Sequence, residues 1–253
     1  MFRRLGSAIL GAFASLFSRR ILWLMVWPVL AASFLWGVVV LVFWTQLVVS
    51  LSGLLNRWIT TATFFFNWDA STVALVSAKI IVVLMLVPLV QLTALMILGV
   101  FGMDAMVDAV AARRFPALAR RKGGSFAGSL WNSAIALAGM VALFLVTLPL
   151  WVFPPLWPVI PVLVMGWVNQ RMLRYDALAA HATADEMKKI FAQRKLALYA
   201  LGLVLALIAY VPIVGFFAPV LLGLAFIHFL LAELEALRTA PIEGEVVSKQ
   251  LEA

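Results

Sequence analysis

Ser18, Arg19 and Arg20 are the residues with the clearest chemical potential in the sequence, directly before a long apolar run. Ser18 can cap a helix that begins at Arg19, whose first N–H groups lack intrahelical partners and lie at the positive end of the helix dipole. Two guanidiniums beside them are suited to bidentate binding of sulfate-like or phosphate-like oxygens. The three residues predict an oxyanion-binding site. The alternative is that both arginines anchor a membrane helix and contact lipid headgroups.

Other chemistry is weakly represented. Asp104 and Asp108 lie one helical turn apart and suit Mg²⁺, but no second acidic motif accompanies them, so we interpret them as a solvated helix face. His181 and His228 have no carboxylate cluster beside them in the sequence. The chain has no cysteine, which excludes thiolate ligands and thiol nucleophiles. We therefore expect no enzyme, no metal and no cofactor, and the absence of a phosphate-binding Walker loop argues against an ATP-driven pump.

The composition shows what kind of element must position these residues. Of 253 residues, 65% are hydrophobic and 12% charged, whereas a soluble domain has about 45–50% apolar and about 25% charged residues. So few charges cannot cover the surface of a chain whose interior is also apolar, so much of the exterior must face lipid. We predict an all-α integral membrane protein.

Two of the apolar runs predict long transmembrane helices. A helix needs about 20 apolar residues to cross about 30 Å of hydrocarbon. We expect spans at residues 21–55 and 80–101. The first is too long for a straight crossing, and Pro28 is expected to break it, since proline removes a backbone donor and clashes with the preceding turn.

Two further runs, residues 123–170 and 196–232, predict helical hairpins. Prolines near the middle of each indicate turns at Phe153–Pro158 and Val211–Gly215. The return arm of the first hairpin, Leu156–Val168, reaches only about 20 Å as a helix. It is therefore either a re-entrant helix or a crossing helix extended beyond Val168.

The distribution of basic residues predicts the topology. The chain has 19 Lys and Arg against 11 Asp and Glu, a net charge of +8. With a cytoplasmic N-terminus, only Arg57 and Lys79 fall outside, and both termini lie inside, as the positive-inside rule requires. The excess of basic residues is then explained by the membrane topology. Since the sequence has no recognisable nucleic-acid-binding motif, we expect no nucleic-acid partner. The cytoplasmic clusters are Arg3, Arg4, Arg19 and Arg20; Arg113, Arg114, Arg120, Arg121 and Lys122; and Arg171, Arg174, Lys188, Lys189, Arg194 and Lys195.

We expect one membrane domain, residues 1–238, followed by a polar tail at 239–253. Residues 1–20 predict an amphipathic helix at the cytoplasmic interface, because Phe2, Leu5, Ile9, Phe13 and Leu16 recur at helical spacing. Although the segment imitates a secretory signal, we expect it to be retained. Polar side chains within the apolar runs are expected to face other helices or a water-filled cavity; these are Gln46, Gln91, Asn132 and His228.

Three stretches carry a family resemblance. Arg171–Ala182 reads RMLRYDALAAHA, Val211–Phe226 reads VPIVGFFAPVLLGLAF, and Arg19 and Arg20 precede a long helix with an early Pro28. On these residues the chain resembles the etoposide-induced-protein and CysZ family of integral membrane proteins. CysZ members are sulfate permeases of the bacterial inner membrane, and the resemblance implies two long membrane helices, two partly penetrating hairpins and oligomeric assembly.

The family's anion-binding segment reads Gly-Leu-Arg-Arg, whereas this chain reads Phe17, Ser18, Arg19 and Arg20, so only the arginines correspond. We predict a multi-pass inner-membrane permease or channel for a small oxyanion, sulfate above all, that passes it down its gradient or with ion coupling. Another anion stays open, and so does a non-transporting scaffold or assembly factor of the same family. The expected partners are the lipid bilayer, the inorganic anion and further copies of the chain.

A second group, Arg171, Tyr175, Asp176 and His181, fits one amphipathic helix, in which Asp176 can pair with Arg174 or with another basic group. Two interpretations are open. The group forms a structural latch between the two hairpins, or it lines a cytoplasmic vestibule in which His181 titrates.

Overall fold

The computed structural model describes residues 2–62, 69–211, 214–215 and 217–239, and every regular element in these ranges is helical. The predicted all-α fold is confirmed for this part of the chain. Four segments are long and apolar enough to cross a membrane: Arg19–Thr60, Ala70–Arg114, Phe126–Val152 and Ala218–Thr239. The helices are α1 (Phe2–Leu16), α2 (Arg19–Ala62), α3 (Ala70–Arg114), α4 (Phe126–Thr147), α5 (Val159–Ala179), α6 (Ala184–Gln193), α7 (Lys195–Ala209) and α8 (Ala218–Thr239).

Helices α2 and α3 extend well past the predicted spans. They contain 44 and 45 residues, which corresponds to lengths of about 66 and 68 Å. The expected break at Pro28 is wrong, because α2 continues through it, as α3 continues through Pro88. A proline removes a single backbone donor, and the other turns of so long a helix keep their hydrogen bonds.

Residue contacts divide the chain into two compact units, Trp23–Phe101 and Met1–Leu22 with Gly102–Ala253. In the first of these, α2 and α3 meet along a narrow seam whose buried residues are Val48, Ala78 and Val82. Trp36 Nε1 donates a hydrogen bond to Thr93 Oγ1 at 2.9 Å.

The seam leaves most of the α2–α3 surface uncovered. In the apolar 18-residue stretch of each helix, only 11% of the residues are buried. Gln46 and Gln91 lie on exposed faces. Neither glutamine is enclosed between the described helices, although Gln46 borders an open apolar groove of about 580 Å³ between α2 and α3. The expectation that both face other helices or a cavity stays a prediction.

The other unit is organised around α8. In the apolar 18-residue stretch of this helix, 72% of the residues are buried. Helices α1, α5 and α7 pack against it. Within the predicted segment 1–20, α1 ends at Leu16, and Arg19 and Arg20 begin α2 instead. The buried stripe of α1 is Leu5, Ala8, Ala12 and Leu16, rotated from the predicted stripe because small residues let α1 approach α8 closely. The side chain of Phe2 lies outside the described residues.

The first hairpin consists of α4 and α5. The chain leaves the α-helix at Thr147, and two short 3₁₀ segments, Leu148–Val152 and Pro154–Leu156, make the connection. The predicted proline turn is thus confirmed. Helix α5 runs to Ala179, so the return arm continues well beyond Val168 and the hairpin ends later than residue 170.

The second hairpin consists of α7 and α8. Its α7 arm begins at Lys195, close to the predicted start, while α8 continues to Thr239 rather than ending at residue 232. Helix α6 precedes it and meets α7 at a bend of 77°. In the predicted turn, Pro212 and Ile213 lie outside the described residues, as do residues 240–253 of the tail.

Candidate functional site

A cavity of about 480 Å³ lies where α1 ends, α2 begins and α3 ends. Ser18, Arg19 and Arg20 all border it, so the structure brings the predicted constellation to one site. Two further arginines from α3 complete its basic wall. The lining residues are Ser15, Ser18, Arg19, Arg20, Ile21, Ala109, Val110, Ala112, Arg113 and Arg114.

A tight turn between α1 and α2 sets the position of the first three residues. The Ser18 N–H donates to the Ser15 carbonyl at 3.0 Å, and the Ser18 carbonyl accepts from the Leu22 N–H at 2.9 Å. Helix α2 consequently begins at Arg19, as the sequence predicts. Its first N–H groups and positive dipole end therefore lie at the cavity.

Arg113 and Arg114 are the site residues that the motif reasoning missed. They occupy the last turn of α3, where cations are favoured by the negative end of the helix dipole. The sequence does contain a signal for them, because the positive-inside rule assigns this cluster and Arg19–Arg20 to the same side of the bilayer. It contains no signal that the two clusters share a cavity.

The electrostatics of the cavity are strongly one-sided. Its wall carries four guanidiniums and, among the residues that the structure describes, no carboxylate. The nearby Asp108 is engaged by Arg120 through a salt bridge. Since like charges repel and no internal counterion is present, the cavity favours an anion with several acceptor oxygens. Its side chains offer donors and fixed charge, which suits binding rather than covalent chemistry.

None of the residues in the second predicted group lines this cavity. The expectation that they share one helix is wrong for His181: Arg171, Tyr175 and Asp176 lie on α5, which ends at Ala179, before His181. The Ser125 N–H donates to Tyr175 Oη at 3.1 Å, and Ser129 Oγ donates to Asp176 Oδ1 at 2.5 Å. Both contacts join α4 to α5, so they tie the two arms of the first hairpin rather than the two hairpins. Asp176 does not pair with Arg174 among these contacts; Arg174 instead donates to Gln170 Oε1 at 3.2 Å.

Arg171 and His181 are also structural in their contacts. The Arg171 carbonyl accepts from Asn132 Nδ2 at 2.7 Å, which satisfies a polar side chain predicted to face another helix. His181 is only 3% exposed, so it does not line an open vestibule. Burial lowers the pKa of His181 below its ordinary value, and the neighbouring Arg120 cation lowers it further.

A separate ion-pair network, which motif reasoning missed, joins the end of α8 to α6. Arg238 Nε donates to Glu186 Oε1 at 2.9 Å, and Arg238 Nη1 donates to the Ala119 carbonyl at 2.9 Å. The Arg238 hydrogen bond is the main reason why the pKa of Glu186 falls to about 2. Glu186 also completes a capping box with Thr183 at the start of α6. This network ties α8, one arm of the second hairpin, to α6 and to the Ala119 carbonyl between α3 and α4.

Comparison with known proteins identifies a family. A family model described as "Sulfate transporter CysZ/Etoposide-induced protein 2.4" matches residues 8–219. The matched range covers most of the chain and includes every lining residue of the arginine cavity. No curated protein and no solved structure gives a match.

Proposed function

Because the chain belongs to the family of the sulfate transporter CysZ and etoposide-induced protein 2.4, we propose that it is a permease or channel for a small oxyanion, with sulfate as the substrate. The observation that carries this proposal is the cavity bordered by Arg19, Arg20, Arg113 and Arg114. A dianion there would neutralise part of the positive charge while accepting hydrogen bonds from guanidinium and backbone N–H groups.

The site is suited to transient binding. Arg19 and Arg20 are exposed, so their charges are partly screened by water and hold an anion less tightly than buried guanidiniums would. Conduction requires this balance, since an ion must enter favourably and still leave. Without a Walker loop in the sequence, flux would follow the anion gradient or be coupled to another ion.

For the topology, we propose two full spans and two partly penetrating hairpins in the bacterial inner membrane, with both termini and α1 on the cytoplasmic side. Helix α7 has 15 residues and reaches about 23 Å, less than the hydrocarbon thickness of about 30 Å. Helix α5 has 21 residues, but its apolar part ends at Val168, before Asn169, Gln170 and Arg171.

A cysteine-accessibility scan would test this topology, since the chain is naturally free of cysteine. Pro155→Cys probes the first hairpin tip and Val211→Cys the second; both positions are exposed. Gly215 is less suitable, because a Cβ there would overlap the Ala209 carbonyl. We expect no labelling from the outside at either tip, whereas outside labelling would mean full crossing.

We also propose homo-oligomeric assembly. The exposed Gln46 borders an apolar groove of about 580 Å³ between α2 and α3, and a polar side chain facing acyl chains is costly. A second copy would provide a hydrogen-bonding partner. Cross-linking of the Gln46→Cys variant in membranes would yield a dimer band under this proposal and none if each chain is solitary.

Sulfate uptake by proteoliposomes tests the function itself. Protein carrying Arg19→Gln with Arg20→Gln, or Arg113→Gln with Arg114→Gln, should lose most of the uptake, since each pair supplies half of the arginine charge. Lys188→Gln with Lys189→Gln is the matched control, because it removes two exposed cations elsewhere. Unchanged uptake in both arginine variants would remove the assigned site.

A non-transporting scaffold or assembly factor is the second candidate. It is favoured by Phe17 and Ser18, which stand where the resemblance leads one to expect Gly-Leu; Phe17 is 73% exposed, a side chain free to contact a partner. If pure wild-type protein passes no sulfate or other oxyanion in liposomes, this candidate replaces the permease.

A further inference from the structure

Ser15 and His228 form a buried polar pair at the edge of the arginine cavity. Ser15 lies in the last turn of α1, is 9% exposed and lines the cavity. His228 lies on α8 and is 4% exposed. Ser15 Oγ and His228 Nε2 are 2.9 Å apart. The pair thus connects the cavity wall to the central helix of its unit.

The surroundings of Gly11 indicate that His228 also lies close to an arginine of the cavity. A Cβ at Gly11, one turn before Ser15 on α1, would lie 3.2 Å from Arg114 Nη1 and 3.3 Å from His228 Cγ. The Arg114 guanidinium and the His228 ring therefore approach α1 at the same place. His228 is a neighbour of the cavity's charge and not an isolated polar group in an apolar core.

The hydrogen-bonding capacity of the pair limits what it can do. A serine hydroxyl has one proton, and a neutral imidazole has one donor and one acceptor nitrogen. If Ser15 donates to Nε2, its proton points away from the cavity. If Nε2–H donates to Ser15 Oγ instead, the hydroxyl proton is free to point into the cavity. Sulfate has only acceptor oxygens, so its presence selects the second arrangement.

We propose that Ser15 donates a hydrogen bond to the oxyanion in the cavity and that His228 is the positioning residue that holds Ser15 in this orientation through Nε2–H. The inference rests on the proposed function, since it assigns a further donor to the same anion site. It adds a neutral, directional contact to the guanidinium charges. Such a contact favours a tetrahedral oxyanion over a spherical halide, because only the oxyanion presents several oxygens at fixed angles to separate donors.

Sulfate binding to the purified full-length protein in lipid nanodiscs tests this assignment by calorimetry. Ser15→Ala and His228→Leu should each weaken sulfate binding about tenfold, the usual value of a hydrogen bond to a charged acceptor. The double variant should lose no more than either single variant, because both remove the same contact. His228→Gln keeps an N–H donor and should restore binding close to that of the wild type.

Ser7→Ala is the matched control, since Ser7 lies on the same helix and its hydroxyl donates to the Arg4 carbonyl at 3.0 Å. It should bind sulfate as the wild type does. Melting temperatures measured without sulfate show whether a variant that binds sulfate weakly is still folded. If His228→Leu does not fold, the sulfate affinities of Ser15→Ala and His228→Gln test the proposal instead.

Wild-type affinity in Ser15→Ala would overturn the proposed donor, and His228→Gln as weak as His228→Leu would overturn the positioning role. Both results leave the permease proposal intact. Wild-type protein that binds no sulfate would instead overturn the permease proposal and this inference together.

Discussion

Removing the buried carboxylate of Glu233 on α8 is expected to destabilise the chain. Glu233 is 5% exposed, and both of its oxygens are engaged. Arg4 Nη1 of α1 lies 2.8 Å from Oε1, and Arg194 Nε, between α6 and α7, lies 2.9 Å from Oε2. One buried carboxylate thus links α8 to α1 and to the α6–α7 bend.

The magnitude follows from the exposure of the partners. Breaking a fully buried ion pair costs about 3–5 kcal/mol, but the Arg4 and Arg194 side chains are 56% and 44% exposed and can be rehydrated. With this screening, we expect Glu233→Ala to cost about 2–3 kcal/mol. Glu233→Gln keeps an acceptor oxygen and should cost about half as much.

Thermal unfolding in detergent micelles measures the effect. At about 2–4 °C per kcal/mol for a chain of this size, Glu233→Ala should lower the apparent melting temperature by about 4–12 °C. Glu235→Ala is the control, because Glu235 is exposed on the same helix and should shift it little.

The arginine variants test the reasoning itself. Arg4→Gln and Arg194→Gln should each have a small effect, since the other arginine still pairs with the carboxylate. Together they leave a buried charge unpaired, so the double variant should lose more than the sum of the single losses. A strictly additive double variant, or a Glu233→Ala shift no larger than that of Glu235→Ala, would refute the argument.

Three further outcomes follow from individual contacts. Gly202→Ala should lower the melting temperature by several degrees, because its Cβ would overlap the Gly166 carbonyl. Gly37→Ala, whose Cβ meets nothing within 4 Å, should leave it unchanged or raise it slightly, since Ala is the better helix former. Equal shifts would contradict the close α5–α7 packing. Tyr175→Phe removes the acceptor for the Ser125 N–H and should lower the melting temperature without changing sulfate flux, while a flux defect at unchanged stability would favour the vestibule. Glu186→Gln should destabilise at pH 7. Because the folded pKa of Glu186 is about 2 against an ordinary 4.5, its stabilising effect is complete above about pH 4.5 and lost as the pH falls through about 2, so the difference from wild type should shrink over that range of a melting-temperature titration.

Helix type and approximate position were predictable from the sequence, but helix ends in the long spans were not. The apolar run that ends at Leu55 marks the part of α2 suited to lipid, while the helix itself continues to Ala62. Likewise α3 begins at Ala70, nine positions before Lys79. Hydropathy reports where a helix can meet hydrocarbon, and backbone hydrogen bonding has no reason to stop there.

The candidate site was predictable only where it is local. Ser18, Arg19 and Arg20 are consecutive and lie at a helix start, so their types and position suffice. Arg113 and Arg114 come from the far end of α3 and reach the same cavity only through tertiary packing. The sequence predicts that Arg113 and Arg114 lie on the same side of the membrane as Arg19 and Arg20, but it does not predict that they share a cavity.

The same limit applies to buried polar pairs. Asn132 and His228 were expected to find partners, and both do, because an unpaired polar group inside an apolar unit is costly. Which partner each one finds depends on helix rotation, and the rotation of α1 toward its small residues is a packing outcome that periodicity did not predict.

Anomalous scattering from selenate, the heavier analogue of sulfate, tests the central claim most directly by locating the anion in a crystal of the protein. The account predicts an anomalous peak in the cavity within hydrogen-bonding distance of guanidiniums from both the Arg19–Arg20 and the Arg113–Arg114 pairs. Selenate bound only elsewhere, with this cavity empty at a concentration that saturates binding in solution, would contradict it.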